Sequence, residues 1–160
     1  MNEFYARMTK ALHTSSWVNL VKRRDAQLVR VEPAVYVCTF VAVTLSTTVP
    51  TVSQIKFQSD SDFAVMYQTC AGAVDGIATN VFQNQCTVQM VDRNTNQSFF
   101  NEPVVIASVF GRATFPAIVP VPRVFKPSTQ LGFTMFTLGQ AFVGYTFQFA
   151  LIGARLFYAG

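Results

Sequence analysis

The chain has 160 residues, enough for one domain with a sizeable hydrophobic core. Hydrophobic residues make up 51% of it and charged residues 12%, about half the share usual in globular proteins. No apolar run reaches the roughly 18–20 residues that span a bilayer, so no membrane segment is expected. The 16 phenylalanines favour strands. Sparse charge indicates that another chain covers part of the surface, although a large β-domain core explains it equally well.

Residues 1–32 differ from the rest and are predicted to form an N-terminal arm ahead of a domain at 33–160. The arm has six basic and three acidic side chains, a net charge of +3 out of the total +4. Apolar residues at helical spacing predict at most one short helix, at Glu3–Leu12. The start of the chain lacks the pattern of a signal peptide, so synthesis in the cytoplasm is expected.

The arm also contains candidate contact residues, which we expect to dock on their own domain or on a neighbouring subunit. They are Phe4, Tyr5, Trp17, Val18, Leu20, Lys22, Arg23 and Arg24. Three consecutive basic residues near one tryptophan are weak evidence for nucleic-acid binding. Nucleic acid is therefore not expected as a partner.

The domain is predicted to contain about eight strands separated by turn signals. Strands are expected at Ala34–Leu45, Gln54–Ser59, Phe63–Gln68, Asn84–Asp92, Gln97–Asn101, Val104–Phe110, Gln130–Leu138 and Tyr145–Phe157. Thr69–Gln83 is irregular and is predicted to be a loop, with one broken strand as the alternative. Gly153 predicts a bulge in the last strand. This spacing is typical of an all-β antiparallel sandwich of jelly-roll type, with almost no helix beyond the arm.

Four prolines fall within Phe115–Pro127, which excludes a helix there. The segment is predicted to be a stiff, extended connector along a sheet edge, where proline is tolerated. It would lead into a final strand pair, Gln130–Leu138 and Tyr145–Phe157. Its apolar residues Ile118, Val119 and Val121 are candidate assembly contacts.

The sequence contains no arrangement of residues typical of an active site or a metal site. The one histidine, His13, lies in the arm, where a catalytic base could not be held rigidly beside a nucleophile. The three cysteines, Cys38, Cys70 and Cys86, lack metal-ligand spacing and are predicted to be buried thiols, with a Cys70–Cys86 disulfide as the alternative. Asp60 and Asp62 fit a turn better than a calcium site. We therefore expect no enzyme, no cofactor and no metal.

The order of several segments resembles that of small virion proteins of tailed bacteriophages. Residues 54–70 (QIKFQSDSDFAVMYQTC) resemble their strand–acidic corner–strand opening, and residues 86–103 (CTVQMVDRNTNQSFFNEP) resemble their hairpin. Gly111, the segment FPAIVPVPRVFKPSTQLGFTM and the tail LIGARLFY follow in the same order. Together they cover Gln54–Tyr158, whereas residues 1–53 are not covered.

This resemblance implies a non-enzymatic β-sandwich on the capsid surface of a virion, made in the host cytoplasm. It implies a decoration (cement) subunit that binds the major capsid protein or other virion proteins, as a homo-oligomer with a trimer favoured. A head-fibre, neck or tail module that binds another virion protein or a host carbohydrate is the alternative. For carbohydrate binding, the candidate aromatic positions are Phe99-Phe100-Asn101 and Tyr67-Gln68. An enzyme of unrecognised type is the third hypothesis.

Overall fold

The structure is a computed structural model that describes residues 28–112, 114–139 and 141–159, without the side chains of Val29 and residues 120–122. The predicted arm helix, His13 and all eight candidate contact residues of the arm lie outside the described residues. The first strand begins at Leu28. Residues 28–32, which the sequence analysis placed in the arm, therefore belong to the sheet.

The described residues form ten strands and two four-residue helices. In chain order these are β1 (Leu28–Leu45), β2 (Thr51–Lys56), β3 (Asp62–Val74), β4 (Ile77–Thr79), α1 (Phe82–Gln85), β5 (Cys86–Asp92), β6 (Gln97–Ser98), β7 (Val104–Val105), α2 (Ile106–Val109), β8 (Ala117–Phe125), β9 (Gln130–Thr137) and β10 (Phe142–Tyr158). Sheet 1 has the order β1-β10-β3, with β4 and β8 both beside β3. Sheet 2 has the order β2-β9-β5, with β6 and β7 beside β5.

All strand pairs within the two sheets are antiparallel. The described chain crosses between the sheets six times, from β1 to β2, β2 to β3, β4 to β5, β7 to β8, β8 to β9 and β9 to β10. This arrangement confirms the predicted all-β sandwich of jelly-roll type. β9 and β10 do not form the predicted final strand pair. β9 lies between β2 and β5, whereas β10 lies between β1 and β3.

Aromatic side chains fill the space between the sheets. The two longest strands pair so that Cys38 lies opposite Phe149 and Phe40 opposite Phe147, all four buried. The Phe149 ring, from sheet 1, stacks on Phe133 of sheet 2 with ring centres 5.5 Å apart. Because successive residues of a strand point to opposite faces, every second residue of β1 and β10 reaches this core.

The segment Thr69–Gln83 is not the predicted loop. It continues β3 to Val74, turns at Asp75 and Gly76, and returns as β4 before α1. Both turn residues have positive φ, 50° and 76°, as a two-residue hairpin turn requires. The low β propensity of this stretch is outweighed because its neighbours in the sheet supply the pairing.

Residues 104–110 also differ from the prediction, because the two-residue strand β7 is followed directly by α2. The proline-rich segment is extended, as predicted, and forms β8 at an edge of sheet 1. Its pairing with β3 shifts register between Ile118 and Arg123, the stretch that contains Pro120 and Pro122.

The bulge predicted at Gly153 in the last strand lies instead in β3. The pairing steps from Ile152 opposite Tyr67 to Gly153 opposite Val65, so the extra residue is Met66, whereas β10 pairs with β1 without a shift at Gly153.

The three cysteines are free and buried, as predicted. Burial raises the pKa of the Cys86 thiol to about 12. Burial, together with the neighbouring Cys86, raises the pKa of Cys70 well above its ordinary value. At pH 8 only roughly one Cys86 in ten thousand is then a thiolate, the reactive form.

We therefore expect the native protein at pH 8 to leave all three cysteines unmodified by a water-soluble aromatic disulfide reagent. All three should react once guanidinium unfolds the chain. Fast modification of a cysteine in the folded protein, or a native Cys70–Cys86 disulfide in the intact mass, would contradict this expectation.

Candidate assembly surfaces

The outer face of sheet 1, which points away from the core, is mostly apolar. Its polar exceptions include Thr39, which lies opposite Gln148, and Thr69 and Thr146. The register places Val35 opposite Ile152, Val37 opposite Ala150, and Ala64 opposite Ala154 on this face. An antiparallel sheet with one face in water normally carries polar residues on that face. Sheet 1 instead has the composition of a sheet that is covered on both sides.

The exposure of this outer face changes along the strands. At one end, Ala64, Met66, Ala154 and Leu156 are between 0 and 3% exposed, and we call these four residues the outer cluster. Further along β1, three valines, Val35, Val37 and Val41, are 46%, 49% and 70% exposed, and we call them the valine row. One apolar face is therefore covered at one end and open at the other.

The outer face of sheet 2 is polar by comparison. It presents Gln54 and Lys56 on β2, Thr134 on β9, and Gln89 on β5, each half-buried or exposed. Val52 is an isolated exposed valine on this face. An exposed contiguous apolar patch marks an interaction site more reliably than single apolar residues do. The valine row is therefore the stronger candidate for contact with another protein.

An ion-pair network lies at the end of the sandwich next to the outer cluster. The Arg155 guanidinium donates to both carboxylate oxygens of Asp60 at 2.7 Å and to the Ser61 hydroxyl at 3.0 Å. It also lies 3.5 Å from the Glu32 carboxylate, which contacts Arg30 at 3.1 Å. The hydrogen bond from Arg155 lowers the pKa of Asp60 below its usual value.

These contacts assign Asp60 to an arginine pair rather than to the calcium site weighed as an alternative. Asp62 is buried, whereas Asp60 is exposed. Within the described part of the chain, no group of three or more histidine, cysteine or acidic residues is placed to hold a metal ion. The network joins β1, β10 and the Asp60 corner and acts as a structural clamp.

A crevice opens where β8 forms the edge of sheet 1. It encloses about 440 Å³ and is lined by Gln68, Phe99, Phe100, Val109, Ile118 and Arg123, among others. The Arg123 guanidinium lies 4.1 Å above the Phe99 ring, which also stacks on Phe125 at 5.4 Å. Phe99, one of the aromatic residues considered for carbohydrate binding, thus already packs against Arg123 and Phe125.

The candidate contacts on the proline-rich segment are placed differently from one another. Ile118 is exposed and lines the crevice. Phe115, three residues earlier in the chain, is 79% exposed. Val119 is half-buried and packs on the core. The side chain of Val121 is not described. The prediction that this segment offers contact surface therefore applies to Ile118 and Phe115.

The three residues of the valine row are not among the candidate contacts predicted from the sequence. The β-branched content of Ala34–Leu45 predicts a buried strand. In fact Cys38 and Phe40 on one face are buried, whereas Val35, Val37 and Val41 on the other face are exposed and Thr39 between them is half-buried. The sequence does contain one indication of this site. Apolar residues alternate on both faces of the strand, which is typical of a strand with protein packed on each side.

The chain matches no protein-family model, no curated protein and no solved structure. Among the described helices, none has the length and apolar character to cross a membrane. The jelly-roll fold and the chemistry of its two outer faces are therefore the features from which a function can be inferred.

Proposed function

We propose that this protein is a non-enzymatic structural subunit of a tailed-bacteriophage virion that binds and stabilises the capsid shell as a decoration subunit. The observation behind the proposal is the valine row on the apolar outer face of sheet 1. The resemblance of Gln54–Tyr158 to small virion proteins of tailed bacteriophages indicates that the partner belongs to a virion. The partner would be the major capsid protein or another virion protein.

The contact would be driven by burial of apolar surface. Each Å² of apolar surface removed from water contributes about 25 cal/mol. The three valines of the row, with Thr39 between Val37 and Val41, supply such surface without a charge to desolvate. Val37 lies opposite Ala150 on β10 and Val35 opposite Ile152, so the valines continue into a wider apolar surface. A homo-oligomer that presents several copies of this face would bind a repeating shell with added avidity.

The experiment compares two valines that are equally exposed. Val37 on sheet 1 and Val52 on sheet 2 are each 49% exposed, and each lies in a strand with its side chain pointing outward. Particles that lack the protein would be incubated with the purified wild type, Val37→Lys or Val52→Lys. Occupancy would be measured by quantitative mass spectrometry of the sedimented particles.

We expect wild-type protein and Val52→Lys to bind the particles equally, and Val37→Lys to raise the dissociation constant for the particles at least tenfold. A lysine charge buried in an interface costs more than 1.4 kcal/mol, which is the free energy of a tenfold change. Failure of the wild-type protein to bind particles would refute the proposal. If cryo-electron microscopy showed the protein at only one vertex of the particle, the hypothesis of a decoration subunit would be replaced by that of a neck component.

A further inference from the structure

The outer cluster is buried although it lies on the side of sheet 1 that faces away from the core. Among the described residues, its four members and the apolar side chains packed against them belong to β1, β3 and β10. Side chains of one sheet pack beside one another, and their outward ends meet solvent unless another segment crosses them. Leu156 and Met66 are nevertheless at most 3% exposed, so this end of the face has a cover.

The chain enters the sheet at the edge of this cluster. Leu28, the first described residue, pairs with Tyr158, and both side chains pack against the cluster. Twenty-seven residues precede it. A tethered segment is present at millimolar effective concentration, which favours it over a second copy of the chain in dilute solution.

The nearest strongly apolar run before Leu28 is Trp17–Val21, with the sequence WVNLV. The six residues between them, Lys22–Gln27, can span roughly 20 Å when extended. The cluster crosses three strands, a width of roughly 10 Å, so the run can reach it. A tryptophan alone buries about 150–250 Å².

We propose that Trp17–Val21 lies across the outer cluster of its own chain and forms the second apolar layer of sheet 1 at this end. The valine row stays uncovered, so the surface used in the proposed function is separate. This inference does not depend on that function and is tested on the isolated full-length protein.

Trp17 is the only tryptophan, so its fluorescence reports on this contact alone. We expect acrylamide to quench Trp17 several-fold less in the native protein than in guanidinium. Met66→Glu should raise quenching close to the unfolded value, because the buried cluster cannot accept a charge. The matched control Ile77→Glu changes an exposed apolar residue of β4 in the same sheet and should leave quenching unchanged.

Circular dichroism would show whether Met66→Glu folds. If it does not, Leu20→Glu changes the segment instead of the sheet and should give the same rise in quenching. A fully quenchable Trp17 in the native wild type, or quenching that neither variant changes, would overturn the proposal.

A mixing experiment separates the chain's own sheet from that of a second copy. The Met66→Glu chain, which has Trp17 but a damaged cluster, is refolded with a Trp17→Phe chain, which has an intact cluster and no tryptophan. We expect Trp17 to stay exposed in the mixture. Restored protection would show that the segment crosses to another subunit and would overturn docking on its own chain.

Discussion

Replacing Phe149 by alanine is expected to lower the free energy of unfolding by about 3–5 kcal/mol, the range for a fully buried phenylalanine. The Phe149 ring contacts Phe110 at 4.9 Å and Phe133 at 5.5 Å between ring centres, and it is fully buried. Alanine at this position would leave a cavity between the two sheets, and β10 at the centre of sheet 1 cannot close it by moving alone. Guanidinium unfolding followed by circular dichroism measures the loss.

The matched control for this substitution is Phe115→Ala. Phe115 is 79% exposed, so its removal should change stability by no more than about 0.5 kcal/mol. A loss below about 1 kcal/mol for Phe149→Ala would contradict the packing of the two sheets through this ring.

The second large effect is expected at Gly153, where alanine should destabilise the protein by about 1–3 kcal/mol or more. Gly153 is buried in β10 at the bulge opposite Val65. A Cβ atom there would overlap the carbonyl oxygen of Ala64 on β3. Because the obstacle is backbone, the two central strands must move apart to admit the methyl group. A thermal unfolding series would measure the loss.

Gly139 provides the control, because nothing lies within 4 Å of a Cβ placed there and its φ is not positive. Gly139→Ala should be neutral or stabilising by a few tenths of a kcal/mol, since alanine reduces the freedom of the unfolded chain. Equal stability of the Gly153 and Gly139 variants would show that β3 and β10 do not approach as closely as the structure has them.

Phe149 and Gly153 also show which structural features can be predicted from the local sequence and which depend on tertiary contacts. Alternation along Tyr145–Phe157 places Phe147, Phe149 and Leu151 on one face of the strand, because successive side chains of a strand point to opposite faces. A glycine inside that apolar run predicted a bulge. Neither signal identified the partner: that Gly153 meets Ala64, and that Phe149 meets Phe133 of the other sheet, depends on pairings distant in the chain.

The sequence by itself determined that the chain is an all-β sandwich, that Phe115–Pro127 is extended, and that the cysteines are buried in the core. These properties follow from side-chain alternation, from the fixed φ of proline and from composition, all of which act locally. The sheet in which each strand lies was decided only by the tertiary structure, as were the Arg155–Asp60 clamp and the outer face of sheet 1. One strand cannot show whether its second apolar face meets water, its own chain or a partner. The exposed Val37 and the buried Ala154 acquire their different surroundings only when β1, β10 and β3 lie side by side.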